Sequence, residues 1–179
     1  MTNNNQGPRT QRLFFALWPD EGVRARIEKA VVQLPVREGR RVPRDNLHIT
    51  LVFLGSVAES SRRCVDGVAD GIQASPFSLS LDQIGYWPRP RVVWLGTSSI
   101  PDKLARLEAT LRQGIAQCGI EVENRLYVPH MTLLRKVSRA ARFGPLDPIE
   151  WRVDHFVLME SETNADGAVY RVLKQWALN

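Results

Sequence analysis

One four-residue phrase is written twice in this chain, as His48-Ile49-Thr50-Leu51 and again as His130-Met131-Thr132-Leu133. Each copy opens an apolar run, 47–54 and 130–137, of the kind that forms strands. Side chains two apart on a strand share a face. His48 and Thr50 therefore point the same way, as do His130 and Thr132. A chain that sets two such strands in matching surroundings is pushed towards two related halves. Only three histidines are present, and two of them stand in this phrase.

The rest of the pattern fits that constraint. The run RLFFALW at 12–18 reads as a strand ended by Pro19-Asp20. Val23, Ile27, Ala30, Val31 and Leu34 give 21–34 a helical period, and 37–46 is a basic loop holding Arg37, Arg40, Arg41 and Arg44. Further helices are expected over 60–74 and over 101–118, the second with Gly119 as its stop. Strands are expected at 77–84, 91–96, 153–160 and 170–176. The order predicts an α+β fold: two pseudo-symmetric lobes of curved antiparallel sheet, helices outside, and an active-site cleft between the lobes. Residues 1–11 read as a flexible tail and 12–179 as a single bilobal domain.

Composition sets outer bounds. At 179 residues with 44% apolar content, one domain can bury about two-thirds of its unfolded surface. No apolar run approaches the roughly 20 residues that span a bilayer. No apolar signal-peptide core opens the chain, so a cytoplasmic protein is expected. A net charge of +5, carried mostly by arginine, permits a polyanionic partner without proving one. Cys64 and Cys118 lie on separate expected helices without metal-ligand spacing, and are read as free thiols.

Two imidazoles and two hydroxyls are a kit for gripping a phosphate and moving protons on both sides of it. Histidine's pKa of about 6.5 leaves acid and base forms accessible near neutrality. Each well-placed imidazole contributes about 10²–10⁴-fold. Threonine hydroxyls can donate to non-bridging oxygens. Metal binding fits poorly, because neither phrase supplies His-x-His or His-Glu-x-x-His, and no Gly-rich phosphate loop implies ATP. His155, without a threonine two residues on, is read as structural.

These residues resemble the paired signatures of the 2H phosphoesterase superfamily, and within it the bacterial and archaeal RNA 2′,3′-cyclic phosphodiesterase or 2′-5′ RNA ligase branch. Matching stretches are RLFFAL at 12–17, NLHITLVFLG at 46–55, RVVWLG at 91–96, PHMTLLR at 129–135, and Tyr170-Arg171-Val172-Leu173 with Trp176-Ala177-Leu178. The resemblance implies metal-independent hydrolysis of RNA 2′,3′-cyclic phosphate ends to a 2′-phosphate, reversible 2′-5′ ligation at the same site, and no cofactor. It implies His48 as proton donor, His130 as proton acceptor, and Thr50 and Thr132 on the phosphate oxygens. Phe15 and Arg135 resemble positions that contact substrate. Arg135 lies an odd number of residues from His130, so a bulge, a twist or the strand's end is needed to turn it to the same face. An RNA partner, no membrane and a monomer are expected. The readings left open are a nucleotide- or RNA-binding module with little chemistry, and a phosphodiesterase for a small cyclic nucleotide.

Overall fold

Apolar runs with no polar alternation belong at the centre of a sheet covered on both faces, and RLFFAL is such a run. The computed structural model describes residues 10–36, 38–139, 143–164 and 167–179. In it β1 (Thr10–Leu17) is buried from Leu13 onward. The expected tail falls at 1–9, outside the described residues, and the strand already includes Thr10 and Gln11. Helix α1 (Glu21–Val32) starts where the Asp20 carboxylate accepts from the Val23 amide at 2.8 Å. After it come β2 (Arg40–Arg41), β3 (Ile49–Ala58), α2 (Glu59–Asp70), β4 (Phe77–Leu81), β5 (Gln83–Trp87) and β6 (Val92–Gly96). Helix α3 (Asp102–Gln117), β7 (His130–Arg135), β8 (Ile149–Val153), β9 (His155–Asn164) and β10 (Gly167–Ala177) complete the order.

The main sheet runs β10-β9-β1-β3-β7-β6-β5 with β2 against β7, and β4 pairs with β8 in a separate ribbon. All these pairings are antiparallel. Two expected strands therefore divide. The run 77–84 breaks at Asp82, whose carboxylate accepts from the Ser98 amide at 2.7 Å and the Ser98 hydroxyl at 2.6 Å. The last strands start earlier than expected, because Ile149–Val153 alternates buried and exposed residues against β4. Alternation stops at both corners, at Asp82-Gln83 and at Asp154-His155, but one or two polar residues do not by themselves separate a corner from a strand that continues.

One face of the sheet carries Leu13, Phe15, Leu17, Ile49, Val93, Leu95 and Met131 into a core shared with Leu104, Leu107, Leu111 and Ile115 of α3. Each fully buried aliphatic side chain contributes about 1.5–3 kcal/mol. Helices α2 and α3 lie so close that a Cβ on Gly114 would stand 2.6 Å from Val68 Cγ1. This approach brings Cys64 and Cys118 to a Cα separation of 5.9 Å, where they form a disulfide. The free-thiol expectation is thereby corrected: helix packing, invisible in the spacing, makes the pair neighbours. No described helix is long and apolar enough to cross a membrane.

The two halves share one continuous sheet and meet at its middle. Units β1-α1-β3 and β6-α3-β7 repeat the same pattern, and the only registered pair between β3 and β7 among the described residues is Ile49 with Met131. Residues 48–53 and 130–135 show the same burial sequence: half, buried, half, buried, buried, exposed. Even the irregularities match. Against β1, β3 steps from Phe15↔Val52 to Ala16↔Thr50, leaving Leu51 as a bulge. Against β6, β7 steps from Val93↔Leu134 to Trp94↔Thr132, leaving Leu133 as its counterpart.

Candidate active site

Antiparallel pairing of Ile49 with Met131 dictates what stands beside it. One residue outward, His48 lies opposite Thr132, and Thr50 lies opposite His130. Ile49 and Met131 are fully buried on the core face, so the flanking four side chains project from the other face, where each is half-buried. The result is a His/Thr pair on either side of a local twofold axis. In a regular ladder such diagonal histidines lie roughly 7–8 Å apart, room for one phosphate between them. A cavity of ≈ 140 Å³ is lined by His48, His130, Thr132, Arg135, Arg40 and Tyr170, among others. Thr50 lines a neighbouring cavity that also includes His130.

Both imidazoles are held alike. His48 Nδ1 is 2.7 Å from the Asn46 carbonyl, and His130 Nδ1 is 2.8 Å from the Val128 carbonyl, each two residues back. A carbonyl only accepts, so each Nδ1 carries the proton and donates it. Nε2 is left as the nitrogen that can exchange a proton with a ligand. Burial pushes the His48 pKa down to about 4, against the pull of the Asn46 carbonyl, and Arg135, His130 and Arg24 add to the depression. Burial likewise lowers His130, with the Val128 carbonyl opposing and Arg125 and Arg135 reinforcing.

Aromatic rings frame His48: Phe14 at 5.0 Å between centroids, Tyr170 at 5.1 Å edge-on, and Trp18 stacked at 6.3 Å. The buried Arg24 guanidinium lies over the Trp18 ring, 4.4 Å from its centroid. Trp87 meets His130 edge-on at 4.5 Å. Gly85 makes space beside it, since a Cβ there would overlap Trp94, which packs on Trp87 at 5.2 Å.

Arg135 reaches the groove because the Leu133 bulge restores its facing, and it lines the cavity with the two histidines. Phe15 does not reach it. It is fully buried against Phe156 and Trp176 on the core face, while its neighbour Phe14 faces His48. The substrate-contact expectation for Phe15 is corrected accordingly: an all-apolar run gives no sign of which phenylalanine faces which side. Phe14 and Trp18 stand in that same run, Trp87 and Tyr170 in other segments, and no sequence pattern turned any of the four towards the histidines. His155 pairs with Asp154 at 2.6 Å and lines a different surface depression. Among the described residues no group of three or more His, Cys, Asp or Glu is placed to hold a metal ion.

Comparison with known proteins adds relatives to this geometry. The model of the 2′-5′ RNA ligase superfamily matches residues 19–165. An RNA 2′,3′-cyclic phosphodiesterase of Escherichia coli (strain K12) is 39% identical, covering 94% of this chain and 97% of its own. One from Thermus thermophilus is 35% identical over 93% of this chain and 90% of its own. The crystal structure of E. coli LigT complexed with 3′-AMP superposes with a TM-score of 0.88 at 38% identity, covering 95% of this chain and 99% of that one.

Proposed function

The chain belongs to the 2′-5′ RNA ligase superfamily, and on that footing we propose that it is an RNA 2′,3′-cyclic phosphodiesterase that opens a cyclic phosphate end to a 2′-phosphate. The observation that supports this reading is the Ile49–Met131 pair, which has one histidine and one threonine on each side, with both histidines and Thr132 in the wall of one cavity. In-line displacement needs a base on the side of attack and an acid on the side of departure. His130 Nε2 takes a proton from water, the water oxygen bonds to phosphorus, the bond to O3′ breaks, and His48 Nε2 protonates O3′. Thr50 and Thr132 donate to the non-bridging oxygens, and Arg135 compensates their charge. With its pKa held near 4 by burial, His48 is neutral near pH 7. The anionic phosphodiester beside it favours the imidazolium that this role requires.

The terminal base sits in the wider mouth beside this groove, lined by Arg135, Tyr170, Phe53 and Phe14. Ring and guanidinium faces there offer stacking of about 1–3 kcal/mol per base. Replacing water by the 5′-hydroxyl of a second RNA gives a 2′-5′ linkage through the same site. All four motif residues come from one chain, which supports action as a monomer, with 12–179 working as one domain. RNA ends as substrates support a cytoplasmic setting.

Incubation with a cyclic-ended oligonucleotide in chelator tests the proposal. A 2′-phosphate product is expected, with His48→Ala and His130→Ala each at least 100-fold slower and still folded. A 3′-phosphate product, or near-normal turnover in both variants, would sink it.

A further inference from the structure

Strands β3 and β7 part on both sides of the Ile49–Met131 pair, and each parting leaves a cavity. The first has His48, the preceding segment 40–46, and Thr132 and Arg135 of β7 in its wall. The second, of ≈ 190 Å³, has His130, residues from the preceding segment 122–128, and Thr50 and Phe53 of β3. The local twofold axis exchanges most of these sets: His48 with His130, Thr132 with Thr50, Arg135 with Phe53, one leading segment with the other, while His130 stands in the wall of both cavities. The two cavities are thus related by the axis and adjoin at His130, the first holding both imidazoles and the second opening on the far side of His130.

Their chemistry differs. The first has three arginines, Arg40, Arg41 and Arg135, and no carboxylate in its lining. The second pairs each arginine internally, Arg112 with Glu108 at 3.0 Å and Arg125 with Glu123 at 2.6 Å. Its remaining wall is apolar or aromatic: Trp87, Tyr127, Val128, Phe53 and Leu126, the last 88% exposed. A water nucleophile needs no such chamber. A charge-balanced, aromatic-walled cavity suits a nucleoside whose reacting end carries no phosphate.

We propose that the Trp87–Leu126 cavity is the acceptor subsite, holding the 5′-hydroxyl nucleoside of a second RNA strand while the cyclic-phosphate nucleoside occupies the arginine side. This rests on the phosphodiesterase reading above. His130 takes the proton from O5′, O5′ bonds to phosphorus, the P–O3′ bond breaks, and His48 supplies the proton to O3′. Nothing else is consumed. The product is a 2′-5′ phosphodiester, and the reverse steps cleave it.

The test uses adenosine 2′,3′-cyclic phosphate as donor and a 5′-hydroxyl dinucleotide as acceptor, comparing wild type with Leu126→Glu and Leu126→Ala. The new carboxylate should repel the acceptor's own phosphate and crowd its base. Expected are saturable ligation by wild type and a ligation-to-hydrolysis ratio at least ten-fold lower in Leu126→Glu, with Leu126→Ala intermediate. An unchanged ratio, or no ligation by a wild type that hydrolyses the donor normally, overturns the acceptor assignment. Absence of donor hydrolysis by wild type would instead overturn the underlying reading.

Discussion

Ile49 stands opposite Met131 at the seam between β3 and β7, and neither side chain has any exposed surface. This one contact sets the register of the facing motifs. A slip of one residue would turn a histidine and a threonine into the core. Met131→Ala should cost about 2–5 kcal/mol, read from the urea midpoint. It should also lower kcat at temperatures where the variant is fully folded. A destabilised variant with normal kcat would show that register does not depend on this pair.

Acid should weaken the fold through His48. Its native pKa is about 4, whereas an unfolded histidine titrates near 6.5. Between those values the unfolded chain binds the extra proton, so the contribution is whole above pH 6.5 and is lost as pH falls towards 4. His130 shifts in the same direction. Urea midpoints taken from pH 7.5 to 4.5 should fall less steeply for His48→Gln than for wild type. Proton NMR should show His48 titrating upward again when 2′-AMP binds, and a bound-state value still near 4 would exclude it as the donor.

Arg135 and Phe15 should separate binding from stability. Arg135→Ala removes a guanidinium from the groove lining and should raise KM about ten-fold with little change in melting temperature. Phe15→Ala empties a core position and should cost about 3–5 kcal/mol while leaving KM of the surviving folded protein near normal. Reversed effects would return Phe15 to the substrate.

Reduction should loosen the helical layer without touching chemistry. The Cys64–Cys118 bond closes a separation of 54 residues, worth up to about 4 kcal/mol by loop entropy. Adding reductant should lower the melting temperature of wild type and leave Cys64→Ser unmoved. Equal melting curves with and without reductant would mean the bond contributes nothing.

Periodicity and motif spacing carried much of this protein's design. The duplicated His-x-Thr strands, the helices at α1 and α3 and the α+β class follow from local pattern, because burying one face of a strand or helix imposes its period directly on the residues. The family resemblance followed from the same stretches. The corner at Asp82, the division of β8 from β9, the choice of Phe14 over Phe15 and the meeting of Cys64 with Cys118 did not. Each depends on which distant segment supplies the other wall. The sequence alone determined which side chains could handle a phosphate. Only the tertiary structure decided that Ile49 meets Met131, and with it the axis that turns two separate phrases into one site, since strand register is fixed by packing across the sheet and not along the chain.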